Sequence, residues 1–175
     1  QGYEPVIFSC NIRHDKEGSI EFFNEDGLWH VHESPDGFPF VVIRSTFYAG
    51  NGFNRVRNMW VFAWNLIRTA KEYAKLHGKP DVILASSVHL LTIMAGEYIA
   101  KKMKVPCIAE VRDLWPESIY TYCPNKKKSL LANLLYAVEK HIYKAADSIV
   151  FTMEGGRDYI IEKGWDREHR GPIDL

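Results

Sequence analysis

Apolar and polar residues alternate between two periods along this chain, and the changes of period mark its elements. Val82 to Ala85 is a short apolar run opened by Pro80 and Asp81. Such a run predicts a strand buried on both faces. Ser86 and Ser87 end it. Leu90 to Met103 then carries apolar residues at helical spacing (Leu91, Met94, Ala95, Tyr98, Ile99), and Pro106 to Val111 reads as a second buried strand. A strand, a helix and a strand at this spacing predict parallel pairing with a right-handed crossover. Polar residues follow each strand: Ser86, Ser87 and His89 after the first, Arg112, Asp113 and Glu117 after the second. In open α/β sheets ligands bind at the carboxyl ends of the strands. The two polar sets are therefore expected at one edge.

The same reading extends outward. Val6 to Ser9 predicts a strand followed by Cys10, Asn11, Arg13 and His14. Residues 11–27 are polar and turn-rich. Leu28 to Glu33 and Phe38 to Arg44 flank S-P-D-G and predict a hairpin, with Phe40 to Ile43 apolar enough to join the main sheet. The glycines and asparagines of Y-A-G-N-G-F-N-R demand tight or left-handed backbone. Asn54 is the expected cap of a helix reaching about Leu76, with Val56, Met59, Trp60, Ala63, Ile67, Ala70 and Ala74 as its inward stripe. That stripe would leave Phe62, with Phe53 or Trp64, on other surfaces beside Arg55, Arg57 and Arg68. Tyr120 to Asn125 reads as a loop. Ser129 caps a helix to about Lys144, with Leu131, Leu134, Leu135, Val138 and Ile142 on one side. Ser148 to Phe151 is another strand. Thr152, Glu154, Gly155 and Gly156 follow it, then a short helix closed by Gly164. Four or five parallel strands with helices on both faces are expected, the strands at Val82, Pro106 and Ser148 being adjacent.

Composition narrows the classes. The chain has 175 residues, 46% hydrophobic and 25% charged, with zero formal net charge. That suits one globular domain and gives no bulk charge for nucleic acid. Three cysteines without CxxC spacing fit a reduced, cytoplasmic chain. No apolar run is long enough to span a bilayer. The opening G-Y-E-P-V-I-F-S-C reads as the middle of a domain and the closing G-P-I-D-L as a strand cut short, so a fragment of a larger protein is expected.

Several residues carry candidate chemistry, each with a plainer alternative. Asp113 could accept a proton or a sugar hydroxyl; it could equally cap a helix or pair with Arg112. His89 could act as a general base or contact an acceptor, or be an ordinary polar residue at a helix start. Gly155-Gly156-Arg157 could cradle a phosphate or form a tight turn. Lys126 to Lys128 reads as a solvated approach to a helix, with lipid phosphate as the alternative contact. The histidines show no metal-ligand spacing, although His30 and His32 would share a strand face. No G-x-G-x-x-G follows a strand, which disfavours a dinucleotide enzyme.

The segments D-V-I-L-A-S-S-V-H-L-L-T, E-V-R-D-L-W-P-E-S, A-V-E-K-H-I-Y-K-A-A-D-S-I-V and F-T-M-E-G-G-R-D-Y-I-I-E-K-G, in this order, resemble the amino-terminal domain of family-4 glycosyltransferases. E-V-R-D-L-W-P-E and the Y-A-G-N-G stretch resemble the bacterial subgroup that builds capsule and O-antigen sugars. The resemblance implies a Rossmann-like three-layer α/β domain with a mainly parallel sheet, the amino-terminal half of a GT-B architecture. It implies retaining transfer from a nucleotide sugar, without a metal, to a saccharide acceptor that is lipid-linked in this subgroup. A peripheral place at the inner face of the membrane follows. The family's first strand, its glycine-rich loop and its donor domain with an E-x7-E motif are absent from this sequence, so this chain alone is expected to be inactive. Carried onto this sequence, the resemblance and the strand ends suggest Asp113 and His89 as catalytic residues. Ser87, Arg112, Glu117, Asn54 and Glu154 are the suggested substrate-binding residues. Arg112 and Asp113 stand where many relatives have a histidine that contacts the transferred sugar. A non-catalytic Rossmann-like binding or interaction domain is the alternative.

Overall fold

The computed structural model describes residues 2–12, 27–48, 50, 52–87, 89–122, 125, 129–166 and 171–174. Arg13, His14, Cys123, Lys126 to Lys128 and His169 lie outside the described residues. The chain divides into two compact units, Gln1–Gly78 and Lys79–Leu175.

The first unit is a three-stranded sheet with one long helix. Strand β1 (Ile7–Cys10) runs parallel to β3 (Pro39–Ile43), and β2 (Trp29–Glu33) runs antiparallel to it, in the order β1-β3-β2. The expected hairpin is present. Its turn is fixed by the Asp36 N–H donating to Ser34 Oγ at 3.1 Å and by Gly37 at φ +83°. Val41, Val42 and Ile43 of the central strand are buried, but β3 does not join the main sheet as the sequence suggested.

Helix α1 (Phe53–His77) packs against β3. Its inward residues are Asn58, Phe62, Ala63, Leu66, Thr69 and Ala70. Ala63 and Ala70 of the expected stripe are buried, but Trp60 is 62% and Val56 48% exposed, and Phe62, expected on another surface, is buried. Asn54 is not the cap either. Gly52 occupies that position, without a side-chain bond, and Asn54 sits exposed in the first turn. The cause is a set of asparagine side chains that periodicity does not register. Asn58 Nδ2 donates to Ser45 Oγ at 2.9 Å, Asn65 Nδ2 donates to the Arg44 carbonyl at 2.8 Å, and Asn11 Oδ1 accepts from the Ser45 N–H at 2.7 Å. They tie the strand exit to the helix and so fix which side of α1 faces in. Each replaces the water that a buried polar group would lose. At the far end Tyr73 meets Phe8 and Trp29 edge-on, at centroid distances of 5.5 and 5.9 Å.

The second unit holds the parallel sheet. Strands β4 (Ile83–Ser86), β5 (Cys107–Val111), β6 (Ser148–Phe151) and β7 (Ile173–Asp174) lie in the order β4-β5-β6-β7, every pair parallel. The expected Rossmann-like α/β architecture with a mainly parallel sheet is borne out. β4 is an edge strand, however. Val82 and Leu84 stand 44% and 60% exposed, so it is not buried on both faces. Helix α2 (Leu90–Met103) makes the crossover, burying Leu90, Ile93, Ala95, Gly96, Ile99 and Ala100. Gly96 permits close contact: a Cβ there would stand 2.6 Å from the Ala85 Cβ. Asp147 Oδ2 accepts from the Cys107 N–H at 2.8 Å and anchors the start of β5.

Three further helices, α3 (Glu117–Tyr122), α4 (Leu130–Ala145) and α5 (Gly156–Glu162), complete this unit. Tyr120 to Tyr122 are therefore helical, not loop. Ser129 caps α4 as expected, Oγ accepting from the Ala132 N–H at 3.1 Å. Of the leucines expected on one side with Val138 and Ile142, Leu131 and Leu134 are 62% and 59% exposed, whereas Ile142 is buried. The inward positions at the end of α4 are Glu139, Ile142 and Tyr143. Glu139 is fully buried and accepts from Tyr143 Oη at 3.1 Å and Tyr159 Oη at 2.8 Å. Burial pushes its carboxyl up to about 7, against the pull of those hydroxyls and of Lys163. Glycines 155 and 156 are explained by backbone and packing. Gly155 has φ +80°, and a Cβ on Gly156 would collide with the Phe151 ring.

Two predictions follow from this packing. Gly96→Ala forces α2 off β4, a backbone shift that costs about 1–3 kcal/mol; chemical denaturation of the purified protein measures it, and an unchanged midpoint refutes the contact. The second concerns Glu97, whose Oε1 is buried without a hydrogen-bond partner among the described residues. Burial raises its carboxyl from 4.5 to about 8. A carboxyl raised on folding stabilises while it is protonated, so its contribution is complete below about 4.5 and lost as pH rises through about 8. Thermal melting should show stability declining across that window, and Glu97→Gln should flatten the decline. A variant with the wild-type pH profile refutes this.

Candidate functional site

The parallel ladder brings the carboxyl ends of β4, β5 and β6 side by side, since Ser86 pairs with Glu110 and Val111 with Phe151. Backbone bonds carry the pairing one residue past the strands. The Ser87 N–H donates to the Glu110 carbonyl at 2.9 Å and the Thr152 N–H to the Val111 carbonyl at 3.1 Å. The Arg112 N–H donates to Ser87 Oγ at 2.9 Å, which stitches the loop after β5 to the loop after β4. An open pocket of about 250 Å³ results, lined by Ser87, Arg112, Asp113 and Thr152.

Asp113 and Arg112 are both exposed. Among the described residues the Asp113 carboxylate has no hydrogen bond or ion pair, and it does not pair with Arg112. It does not cap a helix, because α3 starts only at Glu117. Among the described residues neither plainer reading of Asp113 has a contact behind it. Ser87 is 3% exposed. Its hydroxyl oxygen is used by the Arg112 backbone, so it holds the loop while forming the pocket wall. Thr152 is the lining residue that sequence reasoning did not single out. Its position just after β6 was the available signal.

The other expected residues fall elsewhere. His89 follows β4 and takes the capping position of α2, in extended backbone and without a side-chain cap bond. Its ring is nearly buried at 9% exposure and lies 3.3 Å from Thr92 Oγ1. It does not line the pocket. Glu154 is exposed in the turn after β6, at the same edge of the sheet but outside the lining. Glu117 is taken up by structure: its Oε1 pairs with Lys163 Nζ at 3.2 Å, and that ammonium lies 4.3 Å from the centre of the Tyr136 ring. Asn54 belongs to the first unit. Among the described residues no group of three His, Cys, Asp or Glu is arranged to hold a metal ion. Burial pushes the Cys107 thiol up to about 12, with Glu97 and Asp147 adding to the shift, which keeps it protonated and unreactive.

The pocket thus offers one acidic acceptor, one guanidinium and two hydroxyls. A carboxylate and a guanidinium lining one pocket suit a ligand that presents hydroxyls to one and an anionic group to the other. A comparison with curated proteins found no match. The model of the glycosyl transferase 4-like domain matches residues 1–173 of the 175, and the chain therefore belongs to the glycosyl transferase 4-like family.

Proposed function

We propose that this chain is the acceptor-side domain of a retaining glycosyltransferase of the capsule and O-antigen subgroup. In this reading a nucleotide sugar is the co-substrate, no resident metal or cofactor takes part, and the acceptor is a lipid-linked saccharide used in cell-surface polysaccharide synthesis. The observation that carries the reading is the pocket of Ser87, Arg112, Asp113 and Thr152 in a chain of this family. The Asp113 carboxylate accepts a hydrogen bond from the acceptor hydroxyl and takes up its proton as that oxygen bonds to the sugar's anomeric carbon, on the face from which the nucleotide diphosphate departs with the electron pair of the bond it breaks. Arg112 pairs with a phosphate oxygen, for which a planar fork of donors is suited. Ser87 acts indirectly, keeping Arg112 and Asp113 at the pocket by holding their backbone.

Asp113→Asn in the full-length protein should lower kcat/KM for sugar transfer by about 10²–10⁴. Its thermal midpoint should stay at the wild-type value, because the replaced carboxylate is exposed and makes no contact among the described residues. Radiolabelled or mass-spectrometric transfer to a saccharide acceptor provides the assay. Full activity in the variant would refute the role of Asp113. Saccharide binding without any transfer by the wild type would favour the non-catalytic binding domain.

A further inference from the structure

We propose that Lys163 is a positioning residue of the transfer site, which grips Glu117 and so sets the far end of the loop that carries Arg112 and Asp113. This rests on the proposed function, which places transfer at that loop. The loop runs from Arg112 to Pro116, between the end of β5 and the start of α3. Its first residue is held from the β4 side, where Ser87 Oγ accepts the Arg112 N–H. Its last residues pass into α3 through the Ser118 N–H, which donates to the Leu114 carbonyl at 2.8 Å, and the Ile119 N–H, which donates to the Pro116 carbonyl at 3.0 Å. Glu117 is the first residue of α3, and its Oε1 accepts from Lys163 Nζ at 3.2 Å. That bond ties α3 to the β6 side.

A lysine is ordinarily a poor clamp, because its stem turns freely and its ammonium is strongly hydrated. Here the ammonium lies 4.3 Å from the centre of the Tyr136 ring, 5.2 Å from that of Tyr159 and 6.0 Å from that of Trp165. The rings come from α4, from α5 and from the residues after it. They are fixed in turn. Tyr159 Oη donates to the buried Glu139, and Trp165 packs 6.0 Å from Tyr143, which meets Phe151 edge-on at 6.1 Å. Phe151 ends β6, and Thr152 of the pocket follows it. The ammonium is therefore referenced to the carboxyl end of β6, and its grip sets the loop after β5 against that end. Stability is not what the pair supplies. The two side chains are 29% and 24% exposed, and an ion pair open to water adds little. Pro116 is fully buried, and Leu114 and Trp115 pack against the core, so the fold does not depend on the grip.

Lys163→Met and Glu117→Leu in the full-length protein remove the grip from either side. Each should lower kcat for sugar transfer about ten- to a hundredfold, with KM for the acceptor little changed, because orientation counts most in the transition state. The double variant should be no slower than the slower single variant, since both remove one interaction. Lys163→Arg keeps a cation among the rings and should restore most of the transfer. Hydrogen–deuterium exchange, read by mass spectrometry on the same proteins, should be faster over 112–118 in Lys163→Met and Glu117→Leu and unchanged over β4. Wild-type kcat in both single variants overturns the inference, as does wild-type exchange over 112–118. So does a loss in Lys163→Arg equal to that in Lys163→Met, which would make the ammonium itself a contact of the substrate. The exchange measurement needs no substrate. Faster exchange in the variants of a protein whose wild type transfers no sugar counts against the proposed function and leaves the grip intact, whereas an active wild type matched by its variants removes the grip and leaves the proposed function standing.

Discussion

The register of β4, β5 and β6 is the constraint on which the site depends. Parallel strands present their carboxyl ends on one edge, and a shift of one residue would turn every side chain to the other face. Here the ladder runs one residue beyond the strands, through Ser87 to Glu110 and Thr152 to Val111. The Ser87 Oγ then takes the Arg112 N–H. Three loops that are far apart in sequence are held by backbone bonds before any side chain reaches the pocket. The close approach of α2 through Gly96 and the Asp147 anchor under β5 hold the ladder from the helix side and from its amino end. Precision at Asp113 is therefore inherited from the sheet.

The sheet was legible in the sequence because its signal is local and redundant. Val82 to Ala85, Pro106 to Val111 and Ser148 to Phe151 are apolar runs bounded by polar residues, and each coincides with a strand to within a residue or two. The faces of the long helices were not legible. α1 carries apolar residues almost all round, so two stripes of similar hydrophobicity compete. Periodicity favoured Val56 and Trp60, whereas the fold buries Phe62 and Leu66. The choice is made by Asn58 and Asn65, whose partners lie in the exit of β3. A buried asparagine looks like a surface residue until its partner is known. α4 repeats the lesson, since Glu139 is fully buried while Leu131 and Leu134 are exposed. Hydrophobicity scales value Glu139 as a charge, but two tyrosine hydroxyls and a carboxyl raised to about 7 make it a satisfied core group.

The R-D-L-W-P-E motif divides into two physical roles that its spelling does not separate. Arg112 and Asp113 face the pocket and are exposed. Pro116 is fully buried, and Glu117 is drawn to Lys163, whose ammonium also lies over the rings of Tyr136 and Tyr159. The second half thereby fastens α3 to the residues that follow α5, and the first half projects from what it fastens. Gly155 and Gly156 are similar. A phosphate cradle and a tight turn are the two readings of that pair, and the left-handed backbone at Gly155 with the Phe151 ring against Gly156 fits the turn. A motif transferred whole treats Glu117 like Arg112 and Asp113, whereas its carboxylate is paired with Lys163 and lies outside the pocket lining.

What separates Asp113 from His89 is the cost of exchanging partners. A group that serves a ligand must give up its present contacts when the ligand arrives, and every hydrogen bond it gives up in the interior is lost at the full price of desolvation. The His89 ring is nearly buried and lies beside Thr92 Oγ1, so turning it toward a substrate would strip it of that neighbour. Among the described residues the Asp113 carboxylate has no contact to give up. Its backbone is nevertheless fixed, because its carbonyl accepts the Trp115 N–H at 3.0 Å and the preceding residue is held by Ser87. A side chain with no contact to break among the described residues, on backbone held by hydrogen bonds, is the arrangement that binding energy rewards most. On that ground Asp113, a lining residue of the pocket, is better placed to meet a ligand than the histidine, which does not line it.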